Sequence, residues 1–207
     1  YGTVTGVQTC ALPISYAILS DPNSEFTVRA ITRNPDSDKA KALADAGAEV
    51  VSADLDDVAS LTTAFDGCYG AFCVTNFWEH FSPEREVAQA KAMARAAKDA
   101  GVAHVVWSTL EDTRKRVPLS DARMPTLKEK YKVPHFDGKG EANQAFAALG
   151  VPTTFLLTSF YWDNMIHFGM GPKKGPDGKL AITFPMGDRS EEHTSELQSQ
   201  SRISYAV

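Results

Sequence analysis

The sequence is poor in cysteine and carries no excess of positive charge. Only three of its 207 residues are cysteine, and their spacing shows no disulfide pattern. A formal net charge of −5 provides no general attraction to nucleic acid or anionic membrane, and no apolar run reaches transmembrane length. These absences predict a cytoplasmic protein with a small-molecule ligand, no direct nucleic-acid contact, no membrane and no metal.

The two ends of the chain resemble translated adapter sequence. Val4–Ile14 resembles the translation of one strand of a common sequencing adapter, and Arg189–Ser199 resembles the translation of the opposite strand. Foreign segments are set apart before a fold is predicted. We therefore expect residues 1–15 and 189–207 to be adapter-derived rather than native.

Between these ends, β-rich apolar runs alternate with alanine-rich helical patterns. This alternation predicts an α/β fold with a doubly wound parallel sheet of the Rossmann type, truncated in its C-terminal part. Ligands of such folds bind at the carboxyl ends of the strands. The predicted strands are 26–32, 49–53, 70–75, 102–108 and 153–157, and the predicted helices are 37–46, 57–65, 83–100 and 138–149.

Arg33 follows the strand that meets the adenosine ribose in a Rossmann unit. An acidic residue at this place accepts the ribose hydroxyls of NAD, whereas arginine pairs with the 2′-phosphate of NADP. Arg33 therefore favours NADP, with Ser37 as a hydroxyl donor and Lys39 as a second cation. The alternative is an ordinary surface arginine beside a helix start.

Two further segments follow predicted strands. Asp54 and Leu55 end the third strand, where they suit the edge and face of an adenine ring, although Asp54 is equally suited to cap the next helix. Thr75, Asn76 and Phe77 follow the next strand, at the crevice where the sheet order reverses, and suit the cofactor phosphates and nicotinamide ribose. We interpret Trp78 more readily as a core residue than as part of a ligand platform.

Several landmarks along the chain resemble the NmrA-like family of atypical short-chain dehydrogenases. The resemblance covers nearly all of 16–188, in order and with plausible spacing. It rests on the segments Thr32-Arg33-Asn34-Pro35, Gly47-Ala48-Glu49-Val50-Val51, Thr75-Asn76-Phe77-Trp78-Glu79, Val133-Pro134-His135-Phe136-Asp137-Gly138-Lys139-Gly140-Glu141 and Tyr161-Trp162-Asp163-Asn164-Met165.

The resemblance implies a domain plan and a set of NADP(H) contacts. Residues 16–160 would form the NAD(P)-binding domain, and 161–188 would begin an incomplete substrate part. The implied contacts are Arg33, Ser37, Asp54, Leu55, Thr75, Asn76, Phe77, Lys139, Tyr161 and Asn164.

Two features depart from the family pattern. Family members open with a glycine-rich turn that lets the backbone approach the pyrophosphate, but 7–14 contain no glycine and place Pro13 near the helix start. A typical short-chain dehydrogenase also carries a tyrosine four residues before its lysine. Here His135 precedes Lys139, so no catalytic residue is assigned and both remain candidates.

The resemblance implies first an NADP(H)-binding redox sensor that acts in transcriptional regulation through a protein partner. A second possibility is an NAD(P)H-dependent reductase, an oxidoreductase of quinones or other small carbonyl-type compounds. Direct DNA binding is disfavoured by the net charge and by the lack of a recognition motif.

Overall fold

The structure is a computed structural model that describes residues 2–7, 11–158, 165, 169, 171–182 and 202–205, with the backbone alone for 2–7 and 202–205. The chain forms two compact units, Tyr1–Leu157 with Ile203–Val207, and Thr158–Arg202. The strands are β1 Gly2–Val7, β2 Phe26–Thr32, β3 Glu49–Ser52, β4 Gly70–Cys73, β5 His104–Thr109, β6 Thr153–Leu157, β7 Lys173–Lys174, β8 Leu180–Ala181 and β9 Arg202–Tyr205. The helices are α1 Leu12–Ser20, α2 Asp38–Asp45, α3 Val58–Phe65, α4 Phe77–His80, α5 Pro83–Asp99 and α6 Pro134–Leu149.

The first unit contains a sheet in the order β3-β2-β1-β4-β5-β6-β9. The pairs from β3 to β6 are all parallel. Parallel strands need crossover connections, and a sheet order that reverses beside β1 is the doubly wound Rossmann arrangement. The predicted fold class is confirmed, and every strand and helix predicted between 26 and 157 is present with its ends shifted by no more than a few residues.

The central strand is a feature that the sequence analysis did not anticipate. β1 pairs with β2 on one side and with β4 on the other. It lies within the adapter-like residues 1–15, which we had set apart, and α1 begins there as well. The physical reason is composition, because four of the six residues in Gly2–Val7 are threonine or valine, which favour strands whatever their origin.

Helices cover both faces of this sheet. On one face, α3, α5 and α6 enclose the main core around Leu61, Met93, Trp107 and Phe146. On the other face, α1 and α2 cover a smaller cluster around Val28 and Leu43. The helix starts are fixed locally: Ser37, Asp57 and Ser82 each accept a backbone N–H of the following turn.

The excursion between β5 and α6 is organised around one buried carboxylate. Asp137, in the first turn of α6, accepts the N–H of Thr113 at 2.8 Å and the N–H groups of Lys132 and Val133 at 2.7 and 3.1 Å. The buried Lys132 ammonium donates to the carbonyls of Asp121 and Met124. These contacts fix the entry to α6 and hence the positions of His135 and Lys139.

In the second unit, β7 and β8 pair in antiparallel fashion. Within the described part of the chain, no helix combines the length and the apolar character needed to cross a membrane.

Phe146 tests the main core. Its ring is fully buried and lies 5.2 Å from the Trp107 ring, centroid to centroid. We expect Phe146→Ala to lower the free energy of unfolding by about 3–5 kcal/mol, because the truncation leaves a cavity. The control is Phe26→Ala, since Phe26 is 42% exposed. Urea unfolding is the measurement, and equal losses for the two variants would contradict this description of the core.

Candidate functional site

The carboxyl ends of β2 and β3 open onto a cavity of about 270 Å³. Arg33, Ser37 and Lys39 line it after β2, whereas Asp54 and Leu55 line it after β3. Further lining residues come from the start of α1, from the segment after β4 and from α5; they include Ala11, Leu12, Ser15, Asn76, Glu79 and Gln89. Five predicted site residues therefore line one cavity together with Lys39, at the sheet edge where Rossmann folds hold their ligands. The five are Arg33, Ser37, Asp54, Leu55 and Asn76.

Arg33 makes an ion pair across this cavity. One of its terminal guanidinium nitrogens, Nη2, donates to the Glu79 carboxylate on α4. Both side chains remain accessible, with 56% of the Arg33 side chain and 39% of the Glu79 side chain exposed. The site therefore holds a cation at the predicted phosphate position, already paired with a carboxylate of the protein.

The two interpretations of Asp54 are now separable. Asp57, not Asp54, is the N-cap of α3, since its carboxylate accepts the N–H groups of Ala59 and Ser60 at 2.9 and 3.3 Å. Asp54 instead accepts the N–H of Asp56 at 3.0 Å in a tight turn. The capping interpretation of Asp54 is wrong, because the helix begins one turn later than that interpretation requires.

Lys139 forms a buried cluster with the end of β4. Its ammonium lies 2.7 Å from the Thr75 hydroxyl, 2.9 Å from the Thr75 carbonyl and 2.9 Å from Glu86 Oε1. Thr75 in turn donates its hydroxyl proton to Glu86, whose side chain is fully buried on α5. The positive charge of Lys139, which the family resemblance predicts to contact the cofactor, is thus balanced by a carboxylate within the protein.

An aromatic cluster adjoins this ion pair. His135, one turn before Lys139 on α6, lies 5.0 Å from the Trp78 ring and 5.6 Å from the Phe77 ring. Phe77 is buried, but Trp78 is 59% exposed, so the core interpretation of Trp78 is wrong. The reason is local, because the short helix α4 turns Phe77 inward and Trp78 outward.

The environment of His135 limits its use as an acid. Burial, the main cause, lowers the pKa of its imidazole; the Glu86 charge opposes this shift, and the Lys139 charge adds to it. The ring is consequently neutral near pH 7, and a neutral imidazole is a weak proton donor. The two cysteines that the structure describes, Cys68 and Cys73, are both buried, and burial raises the pKa of the Cys73 thiol to about 12.

Two residues of the site were not predicted from the sequence, and two predicted residues lie outside the described part of the chain. Glu79 and Glu86 contact Arg33 and Lys139 over 46 and 53 positions of chain, and such distant pairing has no local sequence signal. For Glu86 there was one sequence signal. It is an acidic residue in the first turn of a helix, at a position that the apolar pattern of that helix predicts to be buried. The predicted contacts Tyr161 and Asn164 lie outside the described residues.

The sequence was compared with models of known protein families. The model of the NmrA-like family matches residues 5–198. The chain belongs to the NmrA-like family. An NmrA-like family domain-containing oxidoreductase of Cladobotryum, FrzB, is 37% identical over 175 residues, which are 78% of this chain and 48% of FrzB. The chain thus spans about half the length of the curated relatives that it matches.

Solved structures show the same fold. NmrA, a negative transcriptional regulator crystallised with NADP, is 23% identical with a TM-score of 0.65, over 86% of this chain and 52% of NmrA. The NADPH-dependent quinone oxidoreductase of Escherichia coli, crystallised with NADPH, is 25% identical with a TM-score of 0.58, over 79% of this chain and 51% of that protein. Both comparisons support the Rossmann arrangement of the first unit.

The Lys139–Glu86 pair leads to a stability prediction. We expect Lys139→Met or Glu86→Leu alone to lower the free energy of unfolding by about 3–5 kcal/mol, because each leaves the other charge buried without its partner. The double variant, Lys139→Met with Glu86→Leu, should lose less than the sum of the two.

A matched control is the exposed pair Lys130–Glu84, whose charged atoms lie 3.5 Å apart. The corresponding variants, Lys130→Met and Glu84→Leu, should change stability little and additively. Urea unfolding of the single and double variants provides the measurement. Additive losses at Lys139 and Glu86 would show that the two charges do not stabilise each other.

Proposed function

We propose that the chain binds NADP(H) along the carboxyl edge of its sheet. The observation that carries this proposal is the position of two cations at that edge, Arg33 beside the cavity after β2 and Lys139 against the end of β4. Residues 75–79 connect the two places, since Thr75 contacts Lys139 while Glu79 contacts Arg33. The site residues therefore follow one continuous edge, as an extended dinucleotide requires.

In this proposal the adenosine half occupies the cavity. Arg33 and Lys39 supply positive charge for the 2′-phosphate, while Leu55 is placed to cover the adenine. The nicotinamide half extends toward Asn76 and Lys139. Bound NADPH would supply the hydride for reduction, and the exposed Trp78 ring beside His135 would provide a flat apolar surface for a substrate.

We further propose that the protein is an NAD(P)H-dependent reductase. The support comes from the relatives, because FrzB is described as an oxidoreductase and shares 37% of the aligned residues. The structural neighbour of Escherichia coli is described as a quinone oxidoreductase. Quinones and other small carbonyl-type compounds are therefore the first substrates to test.

A redox sensor that acts through a protein partner is the second candidate. Two features of the site favour it: the position four residues before Lys139 holds a neutral histidine rather than a tyrosine, and the Lys139 ammonium is already engaged by Thr75 and Glu86. NmrA, which shares the fold, is described as a negative transcriptional regulator. A cofactor bound without turnover is the behaviour that this candidate requires.

Steady-state oxidation of NADPH, followed by absorbance with a panel of quinones and small aldehydes, separates the two candidates. A reductase consumes NADPH in proportion to the added substrate. A sensor binds NADP(H) in calorimetric titration but leaves NADPH unconsumed with every member of the panel.

Arg33 provides the test of cofactor choice. We expect Arg33→Ala to weaken NADP binding by about 1.5–3 kcal/mol, roughly ten- to a hundredfold, because a charge-assisted contact to the 2′-phosphate is lost. NAD binding should change little, since NAD lacks that phosphate. Parallel titrations with the two cofactors are the measurement. Equal weakening of both would show that Arg33 supports the fold rather than the phosphate contact.

The start of α1 gives a second cofactor prediction. Pro13 lies in the first turn and has no N–H to donate, and the N-cap Ala11 provides no side-chain cap. We expect a variant with a glycine-rich turn in place of 8–13 to bind NADP at least tenfold more tightly, because glycine permits close approach of backbone donors to the pyrophosphate.

The control for this variant is an alanine-rich replacement of 8–13, which removes Pro13 without adding glycine. Calorimetric titration of the three proteins with NADP provides the comparison. Similar affinities for the original chain and the glycine-rich variant would show that the lack of glycine in 7–14 does not limit NADP binding.

A further inference from the structure

Glu79 occupies an unusual position relative to the proposed 2′-phosphate site. It comes from α4, after the fourth strand, yet its carboxylate accepts a hydrogen bond from the arginine that follows the second strand. Both side chains line the same cavity. The carboxylate therefore provides the same kind of partner, an anionic oxygen, that a 2′-phosphate would offer to Arg33.

Because the pair is exposed, Arg33 can exchange the Glu79 carboxylate for a phosphate at a small cost in free energy. About half of the Arg33 side chain and more than a third of the Glu79 side chain are accessible to solvent. Exposed arginine–carboxylate pairs contribute little to stability, so the arginine can leave Glu79 without disturbing the fold. A guanidinium also pairs more strongly with a phosphate than with a single carboxylate oxygen, because it can donate two parallel hydrogen bonds.

The geometry points to Glu79 as a residue that sets cofactor selectivity by competing with the 2′-phosphate for Arg33. This inference rests on the proposed NADP(H) site. A cofactor with a 2′-phosphate must displace Glu79 from Arg33, whereas a cofactor without it leaves the pair intact. Glu79 thereby narrows the difference in affinity between NADP and NAD.

Two nucleotides isolate this effect from the pyrophosphate contacts and from the nicotinamide. Adenosine 2′,5′-bisphosphate carries the 2′-phosphate, and 5′-AMP is identical except that it lacks it. The measured quantity is the ratio of their dissociation constants, obtained by calorimetric titration of the full chain. Glu79→Gln should raise the preference for the 2′-phosphate about two- to fivefold, the range expected for release of an exposed ion pair.

The same substitution made with Arg33→Ala distinguishes competition from simple charge repulsion. If Glu79 acts by holding Arg33, Glu79→Gln has no effect on the ratio once Arg33 is absent. A matched control is Glu111→Gln, which removes the same charge from another exposed arginine pair, Glu111 with Arg116, outside this cavity. The control should leave the ratio unchanged.

Each remaining outcome overturns a stated part of the inference. An unchanged ratio in Glu79→Gln, together with a fall in Arg33→Ala, would refute the role of Glu79 and retain the NADP site. An equal gain with and without Arg33 would refute competition and indicate repulsion through space. If no variant prefers adenosine 2′,5′-bisphosphate to 5′-AMP, both the inference and the proposed 2′-phosphate site are wrong.

Discussion

The buried ion pair between Lys139 and Glu86 is the contact on which the arrangement of the site depends. It joins α6 to α5, and through Thr75 it joins both helices to the end of β4. Two buried charges are tolerated only at close range and with further hydrogen bonds. The two helices also approach each other closely near this pair: a Cβ at Gly138 would lie only 3.2 Å from Cα of Pro83.

The carboxyl edge of the sheet carries two electrostatically different regions. Around Lys139 the positive charge is balanced inside the protein, out of contact with most of the solvent. Around Arg33 the positive charge is balanced at the surface by the carboxylate of Glu79, which another anion can replace. In the proposed site, selection by charge would therefore belong to the adenosine end, whereas the other end offers a histidine with a lowered pKa and an exposed aromatic ring.

Much of this fold could be predicted from the sequence, because apolar periodicity and helix caps are local signals. The bounds of β2 and β6 agree with the structure, and Ser37 and Asp57 mark helix starts as their residue types indicate. The position of Arg33 directly after a predicted strand also indicated its place, since Arg33 lines the cavity. In contrast, β1 was not predicted because residues 1–15 were expected to be foreign, although threonine and valine favour strands in any segment.

The central position of β1 has a consequence for how the chain folds. β1 ends at Val7 and its first neighbour, β2, begins at Phe26, but its second neighbour, β4, begins only at Gly70. Because contacts between distant positions of a chain form more slowly than local ones, β1 pairs with β2 before it pairs with β4. During this interval the other edge of β1 stays open to pairing with other unfolded chains, so a high protein concentration favours aggregation during refolding.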